Sequence, residues 1–188
     1  MNIILDGFPE IIEVAGKNVR IDSDFKNCLR IIMAFEDEEL TIAEKAGILL
    51  QLLYIDEISQ DNIQEAYEKG IIFLNCGDEA IGVNTETRLY SFEKDSKYIY
   101  SAIKASHNID LTKAELHWWQ FCYLFFDIDK DCFFSKIIDY RSRWYKGTLS
   151  EEEVKFCQSI WDILFDEDSN VEDDEIVSEF MSILREEG

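Results

Sequence analysis

A single proline, Pro9, and eight glycines are all the strong chain-breakers that 188 residues contain. A β-sandwich or barrel needs a turn signal about every ten residues, so a many-stranded architecture is excluded. Basic residues are scarce too, 18 against 40 acids, which gives a formal charge of −22. Phosphate backbones and anionic membrane surfaces would be repelled, so no nucleic acid and no membrane is expected as a partner. No stretch approaches the roughly 20 apolar residues of a membrane span. The opening MNIILDGFPEIIEV has no basic n-region, and no secretory signal is expected. The five cysteines (Cys28, Cys76, Cys122, Cys132 and Cys157) form no C-x-x-C pair and read as reduced, mostly core-filling thiols.

Motifs of chemistry are missing as well. The chain has no Walker-type phosphate loop, no G-x-G-x-x-G and no G-x-S-x-G. His107 and His117 share no helical face and have no H-E-x-x-H partner. Asp127-Ile-Asp129-Lys-Asp131 begins like a calcium loop, but Cys132 stands where Gly is needed and Ile138 where Glu is needed. The run from Asp166 fails the same way, at Val171 and Val177. These absences predict a protein without catalytic residues, cofactor or metal.

What is present is a folded chain, 47% hydrophobic and 13% aromatic. Its fold class reads as mainly α, a helical domain with a short N-terminal β-hairpin. The hairpin is EIIEV, then AGKN, then VRI, with Gly16 and Asn18 supplying the turn. Asp22 or Ser23 is expected to cap a helix burying Phe25, Leu29, Ile32 and Met33. Thr41 with Glu44, Thr112 with Glu115 and Ser150 with Glu153 read as capping boxes that open helices. Asp61–Gln64 resembles another start, Ser91 opens a helix that ends at His107-Asn108, and 134–144 forms a further one. The predicted organisation is a hairpin with helices over 1–80, an aromatic-rich helical core over 89–165, and an acidic linker with an amphipathic helix over 166–188. Residues 1–165 are expected to form one compact unit.

Two features stand out. Glu115 to Ile128, ELHWWQFCYLFFDI, places two apolar stripes on one helix, Leu116/Trp119/Tyr123/Phe126 and Trp118/Phe121/Cys122/Phe125. A base-stacking platform would need flanking cations; here Asp127, Asp129 and Asp131 follow, and the block reads as core. Charge is uneven: residues 151–188 hold fourteen acids against two bases. Lys136, Arg141, Arg143 and Lys146 form a basic patch that can pair within or between molecules. Candidate partner-binding residues are therefore Arg141, Arg143 and Lys146, with Ile176, Val177, Phe180 and Leu184 on the terminal amphipathic segment.

Three pieces in order carry a family resemblance: Tyr98-Ile-Tyr100 with Ala102, Ile109-Asp-Leu with Leu116-His-Trp-Trp119, and Phe134-Ser-Lys-Ile137 with Tyr140-Arg-Ser142. The chain resembles the bacteriophage gp-fifteen family of siphophages infecting Gram-positive hosts. The resemblance implies a non-enzymatic tail assembly chaperone that binds and solubilises the phage tape measure protein, and possible contact with other tail proteins. It also implies residence in the host cell cytoplasm and absence from the mature virion. Self-association is expected from the terminal segment. The alternative is an acidic DNA mimic that inhibits a host nuclease or restriction complex, which would need carboxylates in rigid, phosphate-like rows.

Overall fold

The computed structural model describes residues 2–78 and 89–165. The expected acidic linker and amphipathic segment, with Ile176, Val177, Phe180 and Leu184, and most of the 76–88 loop lie outside them. The chain divides into two compact units, Met1–Phe134 and Ser135–Gly188. The fold is mainly α, with one antiparallel two-stranded hairpin among the described residues. No helix among the described residues is long and apolar enough to cross a membrane.

In the first unit a single turn, α1 (Ile3–Asp6), precedes the hairpin of β1 (Ile11–Val14) and β2 (Lys17–Arg20). The turn is Ala15-Gly16, with φ of 49° and 72°. Asn18 is not in it but pairs with Glu13 in the ladder. The reason is chirality: a two-residue turn matching strand twist needs positive φ at both central residues, so the turn centres on the glycine and takes its neighbour with it. Ile12, Val14 and Val19 are buried. Side chains cover the hairpin edges, Asp56 accepting the Arg20 N–H, Glu65 the Ala15 N–H, and Lys69 donating to the Glu13 carbonyl.

α2 (Phe25–Glu36) is capped by Asp24, not Asp22 or Ser23. The cap moves because Ser23 is already committed: its carbonyl accepts the Trp118 N–H at 2.7 Å, and Phe25 donates to the Leu116 carbonyl at 3.0 Å. With that start the buried face is Phe25, Cys28 and Ile31, one residue round from the expected Leu29, Ile32 and Met33. α3 (Ile42–Leu53) opens with the Thr41–Glu44 box as read. A 3-10 turn (Gln60–Asn62) leads into α4 (Ile63–Leu74) without a side-chain cap. α3 and α4 lie close at Gly70, where a Cβ would sit 2.7 Å from Leu49 Cδ2, with Leu49 itself fully buried.

α5 (Ser96–His107) begins five residues after Ser91, with Asp95 at the N-cap position but no side-chain cap bond; the Asp95 carboxylate instead accepts the Ser91 N–H and holds 91–94 in a turn. It ends as read, with Asn108 left-handed at φ 56°. The Thr112–Glu115 box is a correction. Asp110 takes both the Thr112 hydroxyl, at 2.6 Å, and its N–H, at 3.1 Å. Thr112 is thereby used in a local turn, and Leu116 and His117 run extended against the start of α2, His117 pairing with Asp24. The aromatic helix α6 (Trp118–Phe126) starts only after that, with His117 as its cap.

The second unit begins inside α7 (Phe133–Tyr145) and continues with α8 (Glu151–Ser159) and α9 (Trp161–Leu164). The Ser150–Glu153 box forms as expected. The helix expected to run to Phe165 breaks at Ile160. The break turns Trp161 and Phe165 back on Trp144, with centroids 5.2 and 5.8 Å from its ring.

Candidate functional site

Three chain segments, Phe8-Pro9, the start of α2 and the end of α4, are fastened to α6 by the triplet His117-Trp118-Trp119. The His117 Nδ1 accepts the Trp119 N–H at 3.0 Å, which caps α6. Its Nε2 must then carry the proton, and it donates to the Pro9 carbonyl at 2.9 Å. Phe8 stacks on the ring at 4.9 Å. Burial holds the His117 pKa below its ordinary value. The next two residues turn to α4: Trp118 Nε1 donates to the Leu74 carbonyl at 2.9 Å, and Trp119 Nε1 to the Phe73 carbonyl at 2.8 Å. Carbonyls in the last turn of a helix have no partner within it, so two buried indoles close the end of α4.

α6 is not uniformly core. Phe121 is 1% exposed, and Trp118, Trp119, Cys122 and Phe125 are also buried. The stripe Leu116/Trp119/Tyr123/Phe126, in contrast, emerges at its C-terminal end, where Phe126 is 72% exposed. Between these faces lies an open trough of about 680 Å³, within the size range of natural binding pockets. α6 contributes Trp118, Phe121, Tyr123 and Phe126; Tyr90 and Phe92 form the facing wall, and Cys76 and Asp78 follow α4 at the rim. None of the described lining residues is basic, and Asp78 is the carboxylate among them.

Cys76 and Cys122 share the trough wall and a hydrogen bond. Cys122 is pushed far up by its contact with Cys76 and by burial, whereas Cys76 is lowered. Cys28, fully buried nearby, is also pushed up by burial. Cys76 is therefore the thiol of this group that ionises first, and the other two are core fillers.

In the second unit the basic patch is largely engaged at home. Arg143 reaches Glu153 at 2.5 Å and Asp139 at 3.6 Å. With the Ser150 N–H, this holds the Glu153 carboxyl at about 2. Arg141 donates through Nε to the Leu164 carbonyl, and Lys146 is exposed just past α7. The structure thus joins Arg141 and Arg143 to α8 and α9 as internal fasteners. Asp129 serves the backbone, accepting the Asp131 N–H at 2.8 Å.

Most of the aromatic block, residues 118–126, is helical as expected, but Leu116 lies before the helix and the trough beside it was not legible in the sequence. Tyr90, Phe92, Cys76 and Asp78 lie on other segments and reach α6 only through the fold. The available signal was the block's far end, where aromatics continue into Phe126 and meet Asp127.

The family model described as bacteriophage Gp15 protein matches residues 4–164. No curated protein and no solved structure matches the chain.

Proposed function

The chain belongs to the bacteriophage Gp15 protein family, and from that premise we propose that it is a non-enzymatic assembly chaperone that holds the phage tape measure protein soluble before the tail is built. The observation that carries this reading is an aromatic trough open among the described residues, with Phe126 72% exposed at its mouth and Asp78 at its rim, in a chain of net charge −22. Exposed aromatic surface of this kind marks a binding site, and a large net charge of one sign keeps a complex with an apolar client dispersed. In this role the protein works in the host cytoplasm, associates with further copies or other tail proteins, and leaves before the virion is complete.

Co-expression of the full chain with the tape measure protein of the same phage tests it. A gain in soluble tape measure protein and a joint peak on gel filtration are expected. No gain and no complex would sink the proposal.

A further inference from the structure

We propose that the trough on α6 is where the client docks, and that it takes an amphipathic helix whose apolar face carries bulky side chains and whose flanks are basic. The inference rests on the chaperone reading and names its contact site. Three observations select this occupant. The trough is walled by rings, Tyr90, Phe92, Trp118 and Phe121 among them, which suit a helix face presenting anchors at i, i+3 and i+7. Its mouth is apolar and exposed at Phe126 and Tyr123. Its polar edge is acidic: Asp78 lines it, and the exposed Asp127, Asp129 and Asp131 follow α6 against Lys130 alone.

Charge complementarity therefore favours lysine or arginine beside the apolar face and opposes a client flanked by acids, including the acidic C-terminal region of a second copy. Phe126 makes a clean probe. Most of its surface already faces solvent, so its replacement removes a docking contact without opening a core cavity.

Two readouts of one experiment test the site. Phe126→Glu and the milder Phe126→Ser are each co-expressed with the tape measure protein beside wild type. Ile42→Glu, 81% exposed on α3 and outside the trough, is the control. Capture should fall about tenfold or more for Phe126→Glu, as for loss of an aromatic anchor, less for Phe126→Ser, and stay at wild-type level for Ile42→Glu.

In parallel, a bound client should slow alkylation of Cys76 by iodoacetamide. Cys132, half-buried and outside the trough, should react as before. Equal capture by Phe126→Glu, or unchanged alkylation of Cys76 in the complex, overturns the proposal. If the wild-type chain captures no tape measure protein, the chaperone reading fails. A synthetic leucine–lysine amphipathic helix then decides the trough alone: protection of Cys76 upholds it, and no protection overturns it.

Discussion

In the first unit, the C-terminal ends of α3 and α4 are closed by side chains from far along the chain. Trp119 reaches Phe73 across 46 positions, Trp118 reaches Leu74 across 44, and Asn27 takes the Leu52 carbonyl of α3 across 25. In the second unit the fasteners are nearer: Ser150 and Glu153 three apart, Arg143 and Glu153 ten apart, and Arg141 and Leu164 23 apart. The difference lies in the chemistry of the donors. Buried indoles bond where water cannot compete; losing Trp118 strands the Leu74 carbonyl, whereas the Phe73 carbonyl keeps the Cys76 N–H at 3.0 Å. A half-buried guanidinium–carboxylate pair such as Arg143–Glu153 still meets water and salt. The first unit is built as a rigid seat for the trough, and the second is a smaller helical assembly whose electrostatic contacts respond to solution conditions.

The largest test of this contrast is Trp118→Ala, which deletes a buried ring and leaves the Leu74 carbonyl unpaired. A loss of about 3–5 kcal/mol is expected in urea unfolding. Trp118→Phe keeps most of the ring and removes the donor, so it should cost about 1–3 kcal/mol. Equal stability of Trp118→Phe and wild type would show that the indole bond does not hold α4.

Next in size is His117→Ala, which removes the α6 cap and should cost about 0.5–2 kcal/mol at neutral pH. The cap needs a neutral ring, because Nδ1 must accept. The folded pKa lies below 6.5, so the unfolded chain binds the proton first. The stabilisation is complete above about 6.5 and declines as pH falls from there toward the folded value. Comparing urea midpoints at pH 7.5 and 5.5 should therefore show a smaller penalty for His117→Ala at the lower pH; a constant penalty would contradict the assigned tautomer.

Smallest is Glu153→Gln in the second unit. The Glu153 pKa is depressed to about 2, so its contribution is present above the ordinary carboxylate range and is lost as pH falls toward 2. The variant should change the midpoint at neutral pH less than either α6 variant. It should also abolish the part of the acid sensitivity that 0.5 M salt weakens in wild type.

The amino-acid sequence by itself determined the features whose partners are near neighbours. The boxes at Thr41 and Ser150 form because hydroxyl and carboxylate are three residues apart on one helical turn. The hairpin forms because Gly16 stands between two β-prone runs, and Asn108 ends α5 because it tolerates a left-handed backbone.

Tertiary structure decided the rest. The same spacing at Thr112 yields no helix, since Asp110 takes the hydroxyl and Leu116 and Trp118 are bound to the start of α2. That pairing also moved the α2 cap to Asp24 and rotated its buried face. His117, which has no metal-ligand partner in the sequence, is the cap joining Pro9 to α6. Local pattern settles which bonds a residue can make within a turn or two. It does not settle whether a distant partner offers a better-buried bond: pairing with the start of α2 fixed where α6 begins, and the α6 indoles closed α4 beside the trough.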